Sequence, residues 1–166
     1  KRYHKESKRN AVGFVEKIWQ KLNISDIHLN GIHQNLLSLQ GQGLTQHIGE
    51  VFPDLSDNSA WLGGDGESWE RGPYYIDGLI PLAYLLNDET LTAKANHWLN
   101  AIINSQDESG FFGPKTNHDW WPRAVVLKAM VSAYLATSRQ DVLLFIQKYL
   151  GYLMAHIEES PFDFWG

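Results

Sequence analysis

The chain has 166 residues, 43% of them apolar and 20% charged, which is the balance of a soluble globular domain and excludes disorder throughout. A net charge of -5 excludes a basic nucleic-acid footprint. With no cysteine, no apolar run near the roughly 18 residues of a bilayer span and no signal-peptide core, the chain has neither disulfide nor thiolate chemistry of its own and fits a cytoplasmic setting.

The one basic run, KRYHKESKR, opens the chain and reads as a solvated helix start or arm. In NAVGFVEKIWQKLN, the residues Val12, Val15, Ile18, Trp19 and Leu22 fall on one helix face. Residues 1–28 are thus expected as a helical arm, and 29–166 as the body. A helix is expected from Leu29 to Gln40, ending near Gly41 or Gly43. Gly49 to Gly72 is rich in Gly, Asp, Ser and Pro and reads as a long functional loop. Helix resumes in PYYIDGLIPLAYLL, with Pro73 in the first turn and Pro81 predicting a kink or a late restart. NDETLTAKANHWLNAIINSQ follows, with Asn87 or Asp88 as N-cap. DESGFFGP is a turn. DWWPRAVVLKAMVSAYLATS and RQDVLLFIQKYLGYLMAHIEE form a further helix pair, and SPFDFWG reads as another loop entry.

The two helix pairs are related. Ala83-Tyr84-Leu85 recurs as Ala133-Tyr134-Leu135, an offset of 50 residues, each followed by a short polar break and a second long helix. A repeat of that size built from helix, turn, helix and longer loop predicts an all-α array of hairpins. The expected architecture is part of an (α/α)6 toroid, whose long loops gather at one end of the inner helices. Six hairpins at this period need roughly 300 residues, and the sequence has room for about three. The ring is then expected to be completed by further C-terminal residues or by other chains.

WLGGDGESWERGPYY carries the chemistry. Asp65, Glu67 and Glu70 lie within six positions, the first two between Trp61 and Trp69 and the third between Trp69 and Arg71. Paired carboxylates act as general acid and base, or as acid and nucleophile, in glycoside hydrolysis. One carboxyl must stay protonated and the other ionised. The two Trp offer an apolar wall, and Arg71 a partner that favours an ionised carboxylate. The plainer reading gives Asp65 a Gly-Asp-Gly turn and has Glu67 and Glu70 cap the next helix or pair with Arg71.

His118-Asp119-Trp120-Trp121-Pro122-Arg123 is the second constellation. Asp119 reads as an N-cap with Pro122 in the first turn. His118, Trp120 and Trp121 then point toward a cleft, where aromatic faces suit sugar rings and Arg123 or His118 suits their hydroxyls. The plainer reading anchors at least one Trp in the core and gives Arg123 a structural salt bridge. His47 either reaches the site or is a satisfied surface residue. Asp77 sits in an apolar helix beside Tyr74 and Tyr75 and requires a partner or a ligand. The histidines show no metal-ligand spacing, and Gly63-Gly64-Asp65-Gly66 lacks the strand and the Lys-Ser/Thr of a phosphate loop. No cofactor or metal is expected.

The strings WLGGDGESWERGPY and DWWPR, within a stretch from roughly Leu29 to Gly166, resemble the N-terminal catalytic region of glycoside hydrolase family 127. This group includes bacterial β-L-arabinofuranosidases. The resemblance implies an (α/α)6 toroid followed by β-sandwich domains, and release of a terminal sugar from a plant-type or bacterial glycan. The family's characterised arabinofuranosidases use a cysteine nucleophile in a zinc-thiolate site. With no cysteine here, neither can be carried over. Those cysteines fall in a later part of the family's chain, or this chain belongs to a subgroup without them.

The leading expectation is a glycosidase, or the N-terminal part of one, with a carbohydrate substrate and no nucleic-acid or membrane partner. Trp61, Trp69, Trp120 and Trp121 form the sugar platform. Glu67 or Glu70 is the general acid, and Asp65 or Asp77 is the second carboxylate or orients substrate. The alternative is a non-catalytic α-hairpin module that binds a glycan or a protein. Half a ring exposes the apolar sides of its end hairpins, so self-association is expected of an isolated piece.

Overall fold

The computed structural model describes residues 22–159, and within them the protein is all-α, without strands. The expected basic arm, most of the helix over residues 10–23 and the SPFDFWG segment lie outside the described residues. The helices are α1 (Gly31–Gln40), α2 (Gln46–Val51), α3 (Arg71–Leu86), α4 (Glu89–Asn104), α5 (Trp120–Thr137) and α6 (Gln140–His156). Among these described residues, no helix is long and apolar enough to cross a membrane.

The last four helices form two hairpins. Each has one apolar stripe at helical spacing: Ile76, Leu79, Ile80 and Ala83 on α3, and Leu91, Ala95, Trp98, Leu99 and Ile102 on α4. Val126, Ala129, Met130 and Ala133 line α5, and Val142, Phe145 and Tyr149 line α6. These stripes meet in one core. The side chain of every third or fourth residue returns to the same helix face, so the sequence period dictates the packing. Ala83, Ala129 and Ala133 keep the side chains short along the stripes of α3 and α5, which pack most extensively against each other.

The two hairpin turns share a conformation. α3 ends at Asn87 and α5 at Ser138, both in the left-handed region (φ 50° and 55°). Each is followed by an extended N-cap, Asp88 or Arg139. Asp88 caps α4 through the Leu91 N–H at 2.9 Å. The offset of 50 residues seen in the sequence is thus a repeated hairpin in space. Contacts at two heights show that α3 and α5 run parallel. The Trp69 side chain reaches Asp119 ahead of the helix starts, and Asp77 reaches Lys128 about two turns further on.

The first helix ends where the sequence places its end, at Gln40 with Gly41 as C-cap. The chain passes through a π-type turn over Gly41–Thr45, with a non-helical Gly43, and restarts as α2. Gly41 is also buried against Leu82, Leu86 and Leu91, so it marks a close helix approach as well as a stop. Pro81 lies within α3 without ending it; packing against α4 and α5 holds the helix through that position. The expected loop after Gly49 is also more ordered than its composition suggests. It holds 3-10 turns at Pro53–Leu55 and Ala60–Leu62.

The end faces of the array remain apolar and open among the described residues. On α1, Ile32, Leu36 and Leu39 are exposed at i, i+4 and i+7, and on α6 Leu144 and Met154 are exposed.

Candidate functional site

The loop before α3 is built around its own glycines and Asp54. The Gly64 and Gly66 amides donate to the Ser59 and Asn58 carbonyls. A Cβ on Gly64 would lie 2.4 Å from the Asn58 oxygen, so the turn admits no side chain there. Asp65 is left exposed at the tip. Asp54 accepts the Glu67 amide at 3.0 Å and pairs with Arg71. The Glu67 amide and the Arg71 guanidinium together hold its carboxyl below the usual carboxylate range. Asp54 was not singled out from the sequence. Its PDL context gives only a turn signal, and its partners lie 13 and 17 residues away.

The three acids separate. Glu67 accepts the Glu70 amide with one oxygen at 2.9 Å and the Arg71 amide with the other at 3.1 Å. Both oxygens are taken up by the first turn of α3, where amides lack intrahelical acceptors. Glu70 occupies the N-cap position, and its side chain makes no capping bond. Asp77 is not a ligand-seeking acid: the Lys128 amine donates to it at 2.8 Å, supplying the partner that a half-buried carboxylate requires.

The four tryptophans also separate. Trp61 is 1% exposed and donates its indole N–H to the Trp69 carbonyl at 3.1 Å, with Phe112 against its ring. Trp120 is 7% exposed and belongs to the core. Neither ring has a free face for a sugar. Trp69 is half-buried and donates to Asp119 at 3.0 Å. Trp121 is 46% exposed and Tyr74 48%, and these two rings are the open ones.

Asp119 is the N-cap of α5, accepting the Trp121 amide at 2.9 Å with one oxygen and the Trp69 indole with the other. The Asn117 side-chain amide donates to the Ser68 carbonyl at 2.8 Å. These two bonds join the loops that precede α3 and α5. They place Glu70 and Trp121, each within two residues of the Trp69–Asp119 bond, at the same end of the helix pair.

Arg123 is not at the surface, and it forms no salt bridge among the described residues. It is fully buried, and its guanidinium donates to the carbonyls of Phe112, Asp119, Pro114 and Asn117 at 2.7 to 3.1 Å. The Phe111 ring lies 4.1 Å from its central carbon. Burial pulls its pKa down to about 10, which leaves it charged at neutral pH. A substrate hydroxyl has no remaining access to it.

The outlying predicted residues are His118 and His47. His118 is exposed, with its ring 5.4 Å from Phe111, so it stays near the gathered loops. His47 lies on α2 and bonds Glu50 on its own helix at 2.6 Å. Arg71, exposed at the start of α3, is tied to Asp54.

On α3, Tyr74 and Gly78 are exposed, and on α5 Trp121, Ala124, Lys128 and Val131. These helical spacings mark one open face on each helix, opposite the buried stripes. The Asp77–Lys128 pair bridges the two faces. Two concavities, of about 270 and 480 Å³, lie away from it. One is lined by Lys94, His97 and Trp98, the other by Ala101, Asn104 and Lys115, and neither includes Glu70, Tyr74 or Trp121. The first is also lined by Glu50 and Asp57, but the exposed rings of Tyr74 and Trp121 lie outside both.

No group of His, Asp or Glu among the described residues could hold a metal ion, and the thiolates that a zinc-thiolate site requires are absent from the sequence. No family model, curated protein or solved structure matches the chain.

Proposed function

We propose that the protein is a glycoside hydrolase, or the N-terminal part of one, that releases a sugar from a glycan, with L-arabinofuranose the first candidate. The observation that carries this reading is the joining of two repeat-related loops at one end of parallel α3 and α5, with the Tyr74 and Trp121 rings exposed there and the half-buried Glu70 carboxyl making no cap bond. The strings WLGGDGESWERGPY and DWWPR, which supply those residues, are the ones that resemble glycoside hydrolase family 127.

In this reading α3 and α5 are inner helices of a partial (α/α)6 toroid. Further hairpins turn their open face into the wall of a pocket. Trp121 and Tyr74 stack against the sugar. Glu70, whose carboxyl the helix cap leaves uncommitted, protonates the leaving oxygen as water adds to the anomeric carbon. Asp65, exposed at the loop tip, is the candidate for the second carboxylate. Glu67 and Asp77 are committed to the helix start and to Lys128.

That commitment also favours a second reading, a glycan-binding hairpin module without turnover, since it removes two of the four candidate acids. Sugar release from a panel of plant-type and bacterial glycans, with calorimetry on the same panel, separates the two. Turnover that Glu70→Gln abolishes supports the hydrolase. Binding without turnover by the full-length protein supports the module. Neither binding nor turnover defeats both.

A further inference from the structure

We propose that Arg123 is a positioning residue: its buried guanidinium fixes the loop Phe112–Asp119 and, through Asp119, sets the Trp69 indole and the Trp121 backbone at the candidate site. The guanidinium binds four carbonyls, all from that one loop. A buried cation is costly without such partners, and among the described residues it forms no ion pair with a carboxylate. The loop carbonyls are therefore its compensation, and they are bound together for the same reason. A planar fork with five donors can serve four acceptors in fixed directions, whereas a lysine ammonium offers three donors from one point.

The cage leads directly to the seam between the two loops. Its Asp119 member supplies its carbonyl to Arg123 and its carboxylate to the Trp69 indole and the Trp121 amide. Its Asn117 member supplies its carbonyl to Arg123 and its side-chain amide to the Ser68 carbonyl. Both bonds that join the loops thus start from residues held by one guanidinium. The Phe111 ring and the ring of Trp61, 4.1 and 5.7 Å from the same carbon, close the cage from the side. This inference concerns how the two loops are held and stands whether or not the site takes a glycan.

The test is hydrogen exchange followed by NMR on the full chain and on Arg123→Lys. The reporters are the Trp69 indole N–H and the Asn117 and Asp119 amides. The α4 amides of Leu99 and Ile102 are the reference. The expected result is that Arg123→Lys speeds exchange at the three reporters by about tenfold or more over any change at the reference amides, because local and global openings have separate free energies. Equal acceleration everywhere, or none at the reporters, overturns the proposal. In the wild-type protein the indole and the loop amides are expected to open as one unit. Independent exchange there overturns the proposal even if the lysine variant does not fold.

Discussion

The Trp69 indole donates to the Asp119 carboxylate at 3.0 Å across 50 positions of sequence, and the same carboxylate caps α5 through the Trp121 amide. One side chain therefore serves a helix start and a contact between neighbouring repeats. Asp119→Ala is expected to lower stability by about 1–2 kcal/mol through loss of both. Asp119→Asn retains a good cap and is expected to cost less. Urea midpoints of the two variants measure the difference. Equal losses would mean that the cap contributes nothing to the stability of the fold.

Glu67 and Glu70 are expected to respond in opposite ways. Glu67→Ala removes acceptors from two amides at the start of α3 and is expected to cost about 1 kcal/mol. Glu70→Gln is expected to change stability by less than about 0.5 kcal/mol and, for a general acid, to lower sugar release by about 100-fold or more. Thermal melts and a release assay read the two effects separately.

The tryptophans allow a similar separation. Trp121→Ala is expected to leave the melting temperature nearly unchanged and to weaken glycan binding, since its ring is 46% exposed. Trp61→Ala empties a core position and is expected to cost about 3–5 kcal/mol. Gly113→Ala is a third check. Gly113 has φ 79°, and a Cβ there would lie 2.4 Å from the Trp61 ring. It is expected to destabilise by more than about 1 kcal/mol. Denaturant titration measures all three, and calorimetry measures the binding term.

Burial pushes the Tyr75 phenol up to about 12, and burial raises Tyr149 as well. Tyrosines of an unfolded chain ionise near pH ~10. Between these values the folded protein holds protons that the unfolded chain releases. The stability linked to Tyr75 is then complete below pH ~10 and is lost as pH rises from there through about 12. Absorbance at the phenolate band should show late-ionising groups, one of which Tyr75→Phe removes. Ionisation of all the tyrosines together near pH ~10 in the folded state would contradict this.

Local order was legible in the sequence wherever a short-range rule applied. Asp88 and Asp119 are N-caps, Pro73 lies in the first turn of α3, and the 50-residue offset corresponds to a repeated hairpin. Longer-range choices were not legible. The composition of the loop does not say that Trp61 and Trp120 turn inward while Trp121 turns outward, because burial depends on what the helices bring against each ring. Arg123 was expected at hydroxyls or in a salt bridge, yet its partners are backbone carbonyls, which carry no residue-type signal. Gly41 and Gly43 satisfied the rule for a helix stop, and α1 does end at Gln40, but the close approach of Leu86 and Leu91 to Gly41 was not legible. Of the candidate acids, Glu67 already had capping as its plainer reading, and capping is the geometry it adopts.

The most direct test of the central claim is sugar release by the full-length protein and its Glu70→Gln and Trp121→Ala variants, with folding of each checked by circular dichroism. Wild-type release, abolished by Glu70→Gln and weakened through KM by Trp121→Ala in folded proteins, is the predicted result. Undiminished release by both folded variants would contradict a sugar-cleaving site at the joined loops of α3 and α5.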